Sequence, residues 1–237
     1  MPDGEYADVS LVGECNGKEI TMSKTITVVG LGGSLSPNSS SLTALRIALE
    51  GAEKAGAKTE IFDIRELNLP MYDPGLSEIP EAVKKLAEAT RNADGLIWSS
   101  PLYHGTISGS FKNALDWLQV LQGSKPSYLT DKVVGLIGAA GGVQGLQAIN
   151  TMEFVVRALR GWAVPLVAPI ARSWDAFDKD GQAKDPKVGE QLRALGEEVY
   201  RAARQFAGQG VTTPEAQLVE AQVEPLDDDE VEALAAG

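Results

Sequence analysis

Apolar and polar positions fall into alternating blocks through the middle of the chain. Thr25 to Leu31 (TITVVGL) is β-branched and almost wholly apolar, the pattern of a strand covered on both faces. After a Gly/Ser segment, Leu42, Leu45, Leu49 and Ala52 share one side of a predicted helix near 41–55. Lys58 to Asp63 (KTEIFD) predicts a second strand. Residues 64–79, with Pro70, Pro74 and Gly75, read as loop, and 80–92 as a helix whose start at Pro80 suits a first turn. Asp94 to Ser99 (DGLIWS) predicts a third strand, Pro101 to Gly105 a loop, and 107–121 a helix with Phe111, Leu115 and Leu118 inward. Lys132 to Ile137 is a fourth strand, 144–160 a helix, and Ala163 to Ala168 a fifth strand weakened by Pro165. An irregular stretch to about 186 precedes a last helix ending near 207.

Alternating strands and helices, with strands that are continuously apolar, predict an α/β fold with a parallel sheet covered by helices on both faces. Five strands suit a flavodoxin-like order of 2-1-3-4-5 with right-handed crossovers. The pattern shows no repeat and no second domain. It divides the chain into an extension over 1–24 without clear periodicity, a domain over 25–207 and a tail over 208–237. Met22, just before the first convincing strand, is a candidate natural start.

Charge changes this picture at the ends. The 237 residues carry a formal charge of -12. Residues 1–22 hold five acids against Lys18, and residues 208–237 hold eight acids and no base, so residues 23–207 are formally neutral. The tail reads as a solvated or interaction segment. Nucleic acid is excluded as the main partner, because neutralising phosphates needs clustered Lys and Arg. One Cys, Cys15, excludes an internal disulfide and a zinc-finger ligand set, and one His, His104, excludes His-pair metal sites. No apolar run reaches the roughly 18 residues of a membrane span, and the N-terminus lacks a signal-peptide pattern. These features make a cytoplasmic location the expectation.

Ligands of open α/β sheets bind beyond the carboxyl ends of the strands, so the loops after strands one, three and four should carry the chemistry. The first, Gly32 to Ser41 (GGSLSPNSSS), turns from a strand into a helix. Its glycines let N–H groups converge, the helix N-terminus favours an anion, and its serines add hydroxyl donors. It has no Walker lysine, and Leu35 stands where a Rossmann motif needs its third glycine. A phosphate held by neutral donors fits; the alternative is a Ser-rich turn with a capping serine among Ser39 to Ser41. The second, Ser99 to Thr106 (SSPLYHGT), offers the rings of Tyr103 and His104 to a flat heterocycle, with Gly105 permitting close approach. The third, Gly138 to Gly145 (GAAGGVQG), has four glycines in eight residues, which suggests a backbone approaching a ligand or simple loop flexibility.

Together these loops resemble the NADPH-dependent FMN reductase family, which includes quinone, chromate and azo reductases. The likeness spans about residues 25–205 and is most specific from Pro101-Leu102-Tyr103-His104-Gly105 through Ser108 to Trp117. Phe177 to Gly181 (FDKDG) is similar to the family's late turn; its Asp-x-Asp-Gly does not continue as a calcium loop, since Ala176 and Lys187 occupy the first and last ligand positions of that frame. The resemblance implies that Ser34, Ser36, Ser39 and Ser41 surround an FMN phosphate. It further implies that Pro101, Leu102, Tyr103, His104, Gly105 and Thr106 line the flavin ring and ribityl chain, and that Gly141 and Gly142 approach the ring's pyrimidine edge. Many members carry Arg where Ser36 stands, which leaves the choice between NADPH and NADH open.

The expected activity is an FMN-dependent NAD(P)H oxidoreductase working by ping-pong hydride transfer, from the nicotinamide to flavin N5 and then to free flavin, a quinone, an azo compound or a metal oxyanion. No side chain is expected to be catalytic, because the cofactor carries the chemistry. Partners implied are a small-molecule acceptor, a flavin-dependent monooxygenase if reduced FMN is released, and further copies of the chain in a homodimer or homotetramer. The alternative is a flavodoxin-like electron carrier without pyridine-nucleotide activity. A hydrolase using Ser108 and His104 lacks a G-x-S-x-G elbow.

Overall fold

The computed structural model describes residues 24–207, together with two short strands before them, β1 (Val12–Cys15) and β2 (Lys18–Thr21), which pair antiparallel. The rest of the proposed N-terminal extension, with Met22, and the whole acidic tail lie outside the described residues.

The core strands are β3 (Thr27–Gly32), β4 (Lys58–Asp63), β5 (Gly95–Tyr103), β7 (Val133–Ala139) and β8 (Trp162–Ile170). They run parallel in the order β4-β3-β5-β7-β8, which is the expected 2-1-3-4-5. β6 (Thr106–Ile107) adds a two-residue antiparallel pair to the end of β5. Side chains alternate between the two faces of the strands, and so does the core. Val28, Ile97 and Ile137 join Leu45, Leu192 and Leu195 from α1 (Ser40–Ala55) and α6 (Pro186–Ala207). On the other face Trp98, Leu136, Leu86, Phe111 and Met152 pack together, the last three from α3 (Glu81–Asn92), α4 (Gly109–Trp117) and α5 (Gly145–Ala158). Each large side chain so buried contributes about 1.5–3 kcal/mol.

α1 and α6 cross almost backbone to backbone. A Cβ on Gly51 would lie 2.2 Å from the Arg193 carbonyl oxygen, and one on Gly196 would lie 1.8 Å from that of Ala48. The small residues set the depth of this crossing and so fix where α1 begins beneath the site loops. Ser39 caps α1, its hydroxyl accepting from Leu42 N–H at 3.2 Å.

Local elements differ from the sequence expectation in three places. The third strand does not stop at Ser99; it pairs with β7 as far as Pro101–Ala139 and runs on to Tyr103. Its last residues fold back through a two-residue turn onto β6, and the following helix begins at Gly109 rather than 107. The stretch 64–79 contains a one-turn helix, α2 (Ile64–Leu67), too short to show periodicity but capped by the Asp63 carboxylate, which accepts from Arg65 N–H at 3.0 Å. Pro165 does not shorten β8. The strand lies at the sheet edge and its register shifts around Pro165, so the missing N–H is tolerated.

The remainder of 68–79 is pinned to α4. Tyr72 N–H donates to Asn113 Oδ1 at 2.8 Å, and Asn113 Nδ2 and Trp117 Nε1 both donate to the Pro70 carbonyl at 2.9 Å. Among the described residues no helix is long and apolar enough to cross a membrane.

Candidate functional site

Because β3, β5 and β7 are parallel, the three unusual loops leave from one edge of the sheet. The first begins with a close backbone contact. A Cβ on Gly32 would meet the Ser99 carbonyl at 2.5 Å, and Gly33, at φ +99°, donates its N–H to that carbonyl at 3.2 Å. Ser99 in turn donates its hydroxyl to the Ser41 carbonyl at 2.8 Å. Ser99, midway along β5, thus anchors both ends of the serine loop.

The predicted serines divide. Ser34, Ser39 and Ser41 are buried, whereas Ser36 is exposed and gives its N–H to the Ser34 hydroxyl at 3.3 Å. The Ser39 and Ser41 hydroxyls lie 3.0 Å apart. Ser39 therefore serves as the helix cap, the alternative reading of this loop. The backbone N–H groups of Ser40 and Ser41 find no acceptor among the described residues. Unpaired N–H groups at the first turn of a long helix, beside neutral hydroxyls and without Lys or Arg in the loop, form a donor set that fits a phosphate monoester.

In the second loop, His104 (φ 50°) and Gly105 (φ 86°) are the central residues of the turn joining β5 to β6. Positive φ at both is what a type I′ hairpin demands, so Gly105 has a backbone reason to be glycine independent of any ligand. The turn presents Tyr103, which is 50% exposed, together with exposed His104 and Thr106; Leu102 is half-buried and Pro101 buried. Thr106 Oγ1 lies 3.2 Å from Thr151 Oγ1 of α5, which steadies the hairpin. Ser108 caps α4, accepting from Phe111 N–H at 3.2 Å, and is 1% exposed, so a hydrolase reading loses its nucleophile.

The glycines of the third loop also divide. A Cβ on Gly138 would lie 2.3 Å from the Gly145 carbonyl, and one on Gly145 would lie 2.8 Å from that of Gly138, so these two serve the packing of α5 on β7. A Cβ on Gly141 meets nothing within 4 Å, and one on Gly142 meets only the Gln144 side chain. Gly141 and Gly142 are exposed, and no backbone fills the space beside them.

One segment that the sequence left as irregular joins these loops. Arg172 N–H donates to the Gly142 carbonyl at 3.2 Å and Ser173 N–H to the Ala140 carbonyl at 2.9 Å. The Ser173 carbonyl accepts from the Ser40 hydroxyl at 2.7 Å. Residues 172–173 therefore bridge the third loop and the first turn of α1. The Asp175 carboxyl nearby is held below its ordinary range, first by a hydrogen bond from Lys184 and then by that ammonium's charge. Farther on, the Asp178 carboxylate accepts the N–H groups of Asp180 and Gln182, each at 2.9 Å, closing the FDKDG turn. At the opposite end of the strands, burial pushes the Lys132 ammonium down while it donates to the Arg91 and Ala93 carbonyls.

A family model for NADPH-dependent FMN reductase matches residues 26–175. An FMN-dependent NADPH-azoreductase of Staphylococcus aureus is 36% identical over 154 residues, which is 63% of this chain and 79% of that one. Among solved structures, the flavoenzyme NAD(P)H:(acceptor) oxidoreductase FerB of Paracoccus denitrificans superposes with a TM-score of 0.61 at 22% identity, covering 78% of this chain and 98% of that one. A flavodoxin, WrbA-like protein of Agrobacterium tumefaciens gives a TM-score of 0.56 at 21% identity, covering 77% and 99%. Both structural likenesses speak to the fold.

Proposed function

The chain belongs to the NADPH-dependent FMN reductase family, an NAD(P)H-dependent flavoenzyme, and from that premise we propose that it retains FMN and reduces planar aromatic acceptors, quinones or azo compounds, by a ping-pong mechanism. The observation that carries this reading is the convergence of three neutral loops at one sheet edge, with unpaired N–H groups at the start of α1 and open backbone at Gly141 and Gly142. FMN, when bound, would supply the hydride chemistry between the nicotinamide and the acceptor.

The chain's own residues bind and orient. Ser34, Ser39 and Ser41 with the Ser40 and Ser41 N–H groups hold the phosphate. Exposed Ser36 lies at the rim of that cradle. Pro101, Leu102 and the Tyr103–Thr106 hairpin would line the ring, with Gly141 and Gly142 toward its other edge. The hairpin N–H groups stand where negative charge on a reduced ring would be stabilised. The exposed Tyr103 and Val143, 50% and 78% accessible, leave an apolar approach for a flat acceptor. An FMN that stays bound would not be delivered to a monooxygenase, and the formal neutrality of residues 23–207 argues against an electron carrier docking through an acidic rim. We also infer a homodimer. Phe154 of α5 is 71% exposed beside a groove of about 400 Å³ lined by Tyr72, Leu115, Val155 and Leu159, a face suited to a second copy.

Steady-state kinetics with varied NADPH and a quinone or azo acceptor test the reading. Parallel double-reciprocal lines with FMN co-eluting on gel filtration are expected. Intersecting lines, or flavin lost to the buffer with turnover, would overturn it.

A further inference from the structure

The three site loops, Gly32–Ser41, Ser99–Ser108 and Gly138–Gly145, contain no Lys or Arg. An NADPH molecule approaching them carries a 2′-phosphate monoester with about 1.5–2 negative charges at neutral pH. A neutral surface gives that group no preference over the 2′-hydroxyl of NADH.

Arg172 is placed to change this. Its backbone is fixed to the Gly142 carbonyl, and the next residue is fixed to both Ala140 and Ser40, so it stands between the third loop and the phosphate end of the site. It is exposed and adopts φ 45°, a left-handed conformation that disfavours an ordinary side chain. Among the described residues it forms no ion pair: Asp175, three residues on, is engaged by Lys184. Two residues beyond Arg172, Trp174 is 74% exposed although it is a large apolar ring. A guanidinium with no ion pair among the described residues and an exposed indole on one pinned segment are the two groups that recognise an adenosine phosphate, by bidentate hydrogen bonding and by stacking on adenine.

We propose that Arg172 and Trp174 form the docking strip for the adenosine 2′-phosphate end of NADPH, and that Arg172 sets the preference for NADPH over NADH. This rests on the flavoenzyme reading above. The test is equilibrium binding of 2′,5′-ADP and 5′-AMP to the FMN-loaded protein by calorimetry, with KM for NADPH and NADH alongside. Wild type should bind 2′,5′-ADP the more tightly. Arg172→Gln should weaken 2′,5′-ADP about 10- to 100-fold while 5′-AMP and FMN affinities hold. Arg172→Gly, which suits the left-handed backbone, should do the same, and Arg172→Lys should restore part of the loss. Trp174→Ala should weaken both nucleotides, and kcat should hold in every variant. No discrimination in wild type, an unchanged ratio in Arg172→Gln, or a loss of FMN affinity in its place would overturn the assignment. A wild type that takes no hydride from either nucleotide would instead remove the flavoenzyme reading itself.

Discussion

Two sets of glycines in this molecule look alike in sequence and do opposite things. Gly51 and Gly196, with Gly138 and Gly145, lie where another backbone occupies the place of a side chain. Gly141 and Gly142 lie in the same glycine-rich loop as the second pair, yet no backbone fills the space beside them. The contrast separates glycine used for packing protein on protein from glycine that leaves a surface open. Only the second kind leaves room for a ligand to reach the backbone.

Substitutions test that separation. The largest effect is expected at Gly196→Ala, whose methyl would meet a backbone carbonyl. The loss should reach or exceed the upper end of the roughly 1–3 kcal/mol seen in overpacked cores, a fall in Tm of about 6–12 °C. Gly138→Ala should cost about 1–3 kcal/mol by the same measure, because α5 can shift slightly on β7. Ser39→Ala removes the α1 cap and should cost about 1 kcal/mol, with a loss of FMN affinity alongside. At Gly141→Val the order inverts. Thermal unfolding should hardly change, while FMN affinity, read by quenching of flavin fluorescence, should fall about tenfold or more. A Gly141→Val protein that binds FMN as wild type does would place the ring elsewhere.

The smallest effect concerns pH. The Asp175 carboxyl is held low by Lys184, so the pair's contribution is present above the ordinary value of 3.8 and is lost only as pH falls through the lowered folded value. Proteolysis of the 172–184 segment should therefore stay constant from neutral pH down to about pH 5 and rise only in stronger acid.

Much of this was legible in the sequence. The apolar central strands alternating with helices pointed to a parallel sheet, because burial on both faces leaves that pattern directly in the residues, and five such strands suited the order that is observed. The three loops could be found because topology dictates which strand ends carry ligands. Three kinds of feature were not legible. The turn at His104-Gly105 depends on backbone dihedrals, so Gly105 read as a ligand contact when the hairpin already requires it. Gly138 and Gly145 could not be told from Gly141 and Gly142 without knowing which backbone lies opposite. Residues 172–174 gave no periodic signal, since their role comes from backbone hydrogen bonds to Ala140 and Gly142 and from Ser40, far away in the chain. A lone Arg and Trp in an irregular stretch after the last strand were the only hint.

The central claim is that the neutral loops of this chain hold an FMN that takes hydride from a pyridine nucleotide. Anaerobic mixing of FMN-loaded protein with NADPH in a stopped-flow spectrophotometer addresses it directly. The account predicts that the oxidised flavin absorbance bleaches in a rapid phase before any acceptor is added and returns when a quinone is supplied. A flavin that remains oxidised with both NADPH and NADH would contradict it.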